Sequence, residues 1–247
     1  MTGVMMKTTL KDKLLRYAFS KIYSGAELAR YVRDDILAQA VFEKGIFQYR
    51  TRPEAFGTLI RSNYDPVRAT VLAVAMERLR DTQVPGSIAE VGVWRGDTSL
   101  ILRAGAPERK LFLFDSFEGF SEDRETDMRF RDTSVEFVMN KLGNSPMVTP
   151  VKGFVPGTFG PYAAETFALV VLDLDKYEAT RDSLAFFHPR LAPGGYIFFH
   201  DYNSPESNWG VKRAVDEFMK DKPDALLDIP DRWGSLALCR ARLKTED

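Results

Sequence analysis

A single cysteine, Cys239, and two histidines, His188 and His200, are all the chain carries of the side chains that usually staple a small fold. An internal disulfide is therefore excluded, and so is a structural zinc site, which needs a cluster of such ligands. Neither sign of charge is in excess: 34 Lys+Arg stand against 35 Asp+Glu, for a formal net charge of -1. Wholesale binding to nucleic acid or an anionic membrane needs a basic excess, so neither partner is expected. Long apolar runs are missing too. The longest charge-free stretches, such as Ala69–Met76 and Phe167–Leu172, fall far short of the roughly 20 residues of a membrane span. The segment through Arg16 mixes Lys7, Lys11, Asp12, Lys13 and Arg16 into its apolar positions. It lacks the apolar centre of a signal peptide, so the cytoplasm is the expected compartment. No segment repeats, and none is low in complexity.

What is present is the composition of an ordinary globular protein, 45% hydrophobic and 28% charged over 247 residues. That length suits one large domain or a domain with an appendage. From Leu10 to about Arg80 the periodicity is helical. Ala26–Val41 carries Leu28, Ala29, Val32, Ile36 and Leu37 on one stripe, and Pro66–Leu79 carries Val67, Val71, Val74, Ala75 and Leu79. Pro53 and Pro66 stand at first-turn positions. An N-terminal helical extension over residues 1–84 is expected, followed by a core over 85–247.

After Pro85-Gly86 the pattern changes. Strands are expected at Ile88–Val93, Lys110–Asp115, Met147–Val151, Phe167–Asp175, Tyr196–His200, Leu226–Ile229 and Ser235–Cys239. Helices are expected at Asp97–Ala104, Ser134–Leu142, Tyr177–Phe187 and Asn208–Lys220, and a turn at Ala192-Pro193-Gly194-Gly195. The strands read as apolar runs, not alternations, so both faces of the sheet are covered. These features predict an α/β fold: a doubly wound, mostly parallel, seven-stranded Rossmann-like sheet.

Ile88-Ala89-Glu90-Val91-Gly92-Val93-Trp94-Arg95-Gly96 is a strand entering a glycine-bearing turn that opens a helix. Gly92 allows a close approach to the backbone, and Gly96 lets the helix start tight against the strand. The spacing G-x-x-x-G is not the G-x-G-x-x-G of a dinucleotide site, which disfavours an NAD-dependent oxidoreductase, and no G-K-[ST] of a P-loop is present. A plain strand-turn-helix with packing glycines is the alternative. An acidic residue before Gly92, with Asp115 ending the next strand, resembles class I S-adenosylmethionine (SAM) methyltransferases. That likeness places Glu90 near the amino-acid part of the cofactor and Asp115 at the ribose hydroxyls. Thr98, Ser99, Ser116 and Asp173 complete the expected contacts on this side.

The motifs VGVWRGDTSL, FDSFEGF, VKGFVPGTF, LDLDKYEATRDSLAFFHPRLAPGGYIFFHDYNSP and GVKRAVDEF follow one another from Pro85 to Phe218. In that order they resemble the macrocin O-methyltransferase family, which methylates sugar hydroxyls of antibiotics. The resemblance implies an adenine site at Gly153 and Phe154, a small-molecule hydroxyl acceptor, and association into homo-oligomers.

Asp173 and Asp175 stand two apart at the end of the fourth strand, and His200-Asp201 ends the fifth. Extended geometry would turn the first two to the same side. Acids so close need a cation or a shared proton, although each is also a common helix or turn initiator. By the resemblance, Asp173 and Asp201 are metal ligands, with His200 in the set, and Asp175 is the general base. The chain departs from the family at His200, where the pattern has aspartate, and at Leu174, where it has glycine. Mg²⁺ is the expected ion, but it prefers oxygen. His200 thus leaves open a softer ion, a water in place of a carboxylate, or no metal. The acceptor pocket is expected among the N-terminal helices, Ser121–Thr133 and Tyr202–Trp209, with Tyr202 and Trp209 available to stack on a sugar. A catechol-type methyltransferase and a non-catalytic protein that kept the fold remain alternatives.

Overall fold

The computed structural model describes residues 54–61, 63–119, 130–205 and 208–242. The expected helix Ala26–Val41, Pro53 and most of the Ser121–Thr133 stretch lie outside the described residues. Within the compact unit Tyr49–Asp247, two helices come first, α1 (Glu54–Arg61) and α2 (Pro66–Asp81). Then follow β1 (Ser87–Val91), α3 (Asp97–Gly105), β2 (Leu111–Asp115), α4 (Val135–Lys141), β3 (Val148–Lys152), β4 (Phe167–Leu172) and α5 (Tyr177–Phe187). The chain closes with β5 (Leu191–Phe199), α6 (Gly210–Met219), β6 (Ala225–Asp228) and β7 (Leu236–Cys239). The strands form one seven-stranded sheet in the order β3-β2-β1-β4-β5-β7-β6. β1 to β5 are parallel, and β7 and β6 return antiparallel at one edge. This is the doubly wound sheet expected from the sequence.

The apolar runs are divided residue by residue between the two faces. Leu111 and Leu113 of β2 point into a core shared with Phe56 of α1, Leu72 and Met76 of α2, Ile101 and Leu102 of α3 and Val138 of α4. Phe112 and Phe114, one residue out of step, point into the opposite core with Leu184 and Phe187 of α5 and Val211 and Val215 of α6. The second core is aromatic. Phe112, Phe114, Phe159, Phe167 and Phe187 meet edge to face at centroid separations from 5.0 to 6.2 Å, the arrangement that ring quadrupoles favour. Among the described residues no helix is long and apolar enough to cross a membrane.

Three local expectations are corrected. Of the expected α2 stripe, Ala75 and Leu79 are buried, Val67 and Val71 only partly, and Val74 is exposed; Ala69, Thr70, Leu72, Ala73 and Met76 complete the buried face. The helix is apolar on most sides, so its period does not decide which face packs. Ala192–Gly195 is not a turn but an irregular stretch inside β5, where the pairing with β4 shifts from Phe167–Leu191 to Leu169–Tyr196. Gly194 N–H donates to the Arg240 carbonyl and Arg240 N–H to the Gly195 carbonyl, both at 2.9 Å. A side chain at Gly195 would meet the Ala168 and Ala192 carbonyls at 2.8 Å. Finally, β4 ends at Leu172, and Asp175 has φ +57°. A turn, not an extended strand, carries the two aspartates.

Asp65 starts α2. One carboxyl oxygen accepts from Arg68 N–H (3.1 Å) and the other from Arg232 N–H (2.9 Å), in a buried position. The cap thereby ties the helix to the loop between β6 and β7. Asp65→Ala removes a cap and leaves a partly buried N–H unpaired, which should cost about 2 kcal/mol. For a domain of this size that lowers Tm by roughly 4–8 °C. An unchanged melting curve would remove Asp65 from this role.

Candidate functional site

In a parallel sheet that winds both ways from its middle, a crevice opens where the winding reverses, outside the carboxyl ends of the strands. Here that point lies between β1 and β4, and it gathers most of the residues singled out in the sequence. The turn after β1 is pinned from both sides. Asp115, at the end of β2, accepts from Val93 N–H (2.6 Å) and Trp94 N–H (2.9 Å) with one oxygen, and from Phe117 N–H (2.6 Å) with the other. Gly92 has φ +88°, and a side chain there would meet the Asp173 carbonyl oxygen at 1.8 Å. Glycine is therefore required for the approach of the turn to the chain leaving β4. Gly96, at φ +72°, precedes α3, and the Ser99 hydroxyl in the first turn of that helix donates to Glu90. Burial pushes the Glu90 carboxyl well above the usual carboxylate range, against the pull of that hydrogen bond.

The neighbouring strand ends add the rest of the expected cofactor set. Gly153 N–H donates to the Asp115 carbonyl at 2.9 Å, which sets the end of β3 beside that of β2. Phe154, next to it, is exposed. Ser116 is engaged within its own loop, donating to the Gly119 carbonyl at 2.7 Å and accepting from Glu118 N–H. Thr98 lies half-buried on α3.

On the other side of Gly92 the acids converge. His200 Nδ1 stands 3.0 Å from Asp173 Oδ1 and 2.7 Å from Asp201 Oδ2, and Asp175 is hydrogen-bonded to Asp201. Each group answers its neighbours. Burial, then the Asp173 charge and the contact with Asp201, raise the Asp175 carboxyl to about 8. Burial also pushes Asp173 up, but the His200 ring and the Arg68 guanidinium outweigh it and leave that carboxyl below its ordinary value. Burial alone would lower the His200 imidazole; the two carboxylates raise it to about 10.

Asp173, His200 and Asp201 each bring one potential ligand atom within 4.8 Å of the others, close enough for one ion to bridge. The donor set itself does not fit a bound cation. A carboxylate only accepts hydrogen bonds, so the nitrogen 2.7 Å from Asp201 presents a hydrogen, not a lone pair, to the acids. A metal-bound histidine also donates its second ring N–H to an acceptor. Here Nε2 is buried with no hydrogen-bond partner among the described residues.

One contributor escaped the sequence reading. Arg68, on α2, lies 3.9 Å from Asp173 and brings a guanidinium to the acids; nothing distinguishes it from any other helical arginine in the sequence. Asp132 accepts from Trp94 Nε1–H (2.7 Å) and Arg95 (3.1 Å), and the Thr133 hydroxyl donates to the Trp94 carbonyl. These bonds fasten the segment before α4 onto the glycine turn. Of the aromatic residues expected at the acceptor, Trp209 is exposed, whereas Tyr202 is buried with its hydroxyl bonded to Asp216 (2.6 Å) and Lys212 (2.7 Å). Tyr202 offers no free face. Residues 121–129, 206 and 207, also expected at that pocket, lie outside the described residues.

Residues 55–229 match the family described as macrocin-O-methyltransferase (TylF). The 8-demethyl-8-(2,3-dimethoxy-alpha-L-rhamnosyl)-tetracenomycin-C 4'-O-methyltransferase of Streptomyces olivaceus is 32% identical over 189 residues, 63% of this chain and 71% of the relative. The demethyldecarbamoylnovobiocin O-methyltransferase of Streptomyces niveus is 31% identical over 182 residues, 64% of this chain and 68% of that one. Among solved structures, the O-methyltransferase NovP superposes with a TM-score of 0.62 at 28% identity, covering 72% of this chain and 81% of NovP.

The pinned turn makes a direct expectation. Gly92→Ala drives a methyl group into the Asp173 carbonyl and should cost about 3 kcal/mol or more, with loss of SAM binding in calorimetry. Gly143, at φ +67° with nothing within 4 Å of an added Cβ, is the control. Gly143→Ala should cost only the about 1–2 kcal/mol of left-handed backbone and leave SAM binding unchanged. Equal behaviour of the two variants would contradict the steric role given to Gly92.

Proposed function

The chain belongs to the macrocin-O-methyltransferase (TylF) family and is an S-adenosylmethionine-dependent O-methyltransferase; we propose that its acceptor is a hydroxyl of a sugar or glycosylated natural product and that Asp175 is the general base. The acceptor class rests on the relatives, one of which carries a rhamnosyl compound in its name. The base rests on one observation: Asp175 is the acid of the cluster whose proton affinity is lifted to about 8, close to a working pH.

When bound, SAM would be held at the turn of Gly92 and Gly96, its amino-acid end by Glu90, Thr98, Ser99 and Asp173, its ribose by Asp115 and Ser116, and its adenine by Gly153 and Phe154. Asp115 already accepts three amide hydrogen bonds, two of them from the turn, and a carboxylate has about four lone-pair sites. One therefore remains for a ribose hydroxyl, so the same residue shapes the turn and receives the ligand.

Bound SAM would supply a methyl group on a sulfonium, which takes the electron pair of the broken carbon–sulfur bond and leaves as S-adenosylhomocysteine, so the protein builds no electrophile and no covalent intermediate. What it must supply is alignment, worth several kcal/mol, and a place for the proton, because an alcohol keeps its proton near neutral pH. The Asp175 carboxylate takes that proton as the carbon–oxygen bond forms. A carboxylate whose proton affinity lies near the working pH suits the task, since it is available in its basic form yet still holds a proton well.

Methyl transfer from labelled SAM to a panel of deoxysugar glycosides and catechols is the direct test. Label should pass to the glycosides, and exclusive labelling of catechols would overturn the acceptor class. Asp175→Asn should lower kcat by about 10²–10⁴, the usual worth of a positioned base, with SAM affinity nearly unchanged. Undiminished turnover would remove Asp175 from the mechanism.

The pH profile carries the same sign. Below about 8 the Asp175 carboxyl holds its proton and cannot accept another. The groups facing it are Asp173, Asp201 and His200. Wild-type kcat/KM should therefore climb about tenfold per pH unit and level off above 8. A profile flat from pH 6 to 9 would contradict this.

A further inference from the structure

The carboxylates Asp173 and Asp201 follow two neighbouring parallel strands, β4 and β5, and converge on one point, and that point is already taken. Nδ1 of His200 stands 3.0 Å from Asp173 Oδ1 and 2.7 Å from Asp201 Oδ2. The His200 side chain is buried, as is most of Asp201, so the contact is shielded from water. Both partners can only accept, so the hydrogen between them belongs to the ring. A cation reached by Nδ1 would have to lie along the axis that now ends on Asp201 Oδ2. Among the described residues the second ring nitrogen, Nε2, has no acceptor to orient it, which a metal-ligating histidine almost always has. The ring keeps this orientation because Nδ1–H is gripped by two acids. On the far side of Asp173, Arg68 supplies a further positive group at 3.9 Å.

We propose that the Nδ1–H of His200 replaces a divalent cation as the link between Asp173 and Asp201, so that this chain carries out methyl transfer without a bound metal. His200 is then a positioning residue. It holds the two acids at a fixed separation and keeps Asp201 in place as the hydrogen-bond partner of Asp175. The proposal rests on the reading of Asp175 as base for its catalytic consequence only. The geometry that excludes the ion is independent of it.

The test separates the two. Mn²⁺ is titrated into the wild-type protein, and free Mn²⁺ is followed by electron paramagnetic resonance, with no acceptor needed. Wild type should leave the free Mn²⁺ signal at its buffer level at millimolar metal, and its turnover of a glycoside acceptor should change less than twofold on dialysis against a chelator. His200→Asp removes the hydrogen and adds an oxygen ligand. That variant should bind Mn²⁺ near one equivalent, and its turnover should rise at least tenfold on adding Mg²⁺. Stoichiometric Mn²⁺ binding by the wild type overturns the proposal, as does loss of its activity in chelator restored by Mg²⁺. A second reading covers a variant that does not fold: in ¹⁵N-edited spectra of the wild type, Nδ1 of His200 should carry a slowly exchanging proton that addition of Mg²⁺ leaves in place. Displacement of that proton by Mg²⁺ overturns the proposal. Should Asp175→Asn retain full turnover while Mn²⁺ binding is absent, the base assignment falls and the His200 assignment stands.

Discussion

Mutual repulsion among Asp173, Asp175 and Asp201 is the constraint on which the site depends. Two unit charges 4 Å apart near a protein surface repel by about 4 kcal/mol, so three carboxylates cannot remain bare in one crevice. The chain answers with three different groups. A raised proton affinity keeps Asp175 protonated at neutral pH, the Nδ1–H of His200 lies between Asp173 and Asp201, and Arg68 approaches Asp173 from α2. Each answer has a mechanical side. In the proposed mechanism the proton on Asp175 is bound at the affinity a base needs, and the imidazole fixes where the acids stand. The arginine makes α2, and through its cap Asp65 the loop at Arg232, a part of the site.

The fold makes this convergence possible. β1 and β4 are adjacent, and the chain leaving them diverges to opposite faces of the sheet. That divergence is what opens a crevice at their ends. Gly92 then brings the β1 turn against the backbone of Asp173, so the expected cofactor turn and the acidic cluster share an atomic contact. A change in the turn is therefore felt at the acids. Asp115 does the same on the other flank, where one carboxylate collects amides from both the glycine turn and its own loop.

Much of this was legible in the chain because burial on both faces makes β2 and β4 short apolar runs. The acids were legible because they end such runs. The failures have equally plain causes. α2 is apolar on most sides, so its periodicity named only part of the buried face. The Ala192–Gly195 sequence has turn chemistry but is held within β5 by Arg240, whose partnership with Gly194 and Gly195 crosses more than 40 residues of chain. Asp175 was expected to follow strand alternation, and a single positive φ takes it out of that pattern while still delivering it to Asp201. Arg68 left no local trace, because its role depends on where α2 docks. His200 was visible as a departure from the family, but only the 2.7 and 3.0 Å contacts say what it does there.

The geometry around Asp175 is most directly tested by a crystal structure holding S-adenosylhomocysteine and a glycoside acceptor together. The reactive oxygen should lie about 2.6–3.2 Å from an Asp175 carboxyl oxygen and face the sulfur across the gap the methyl group crosses. An acceptor oxygen hydrogen-bonded to another basic group, with Asp175 turned away from it, would contradict the mechanism.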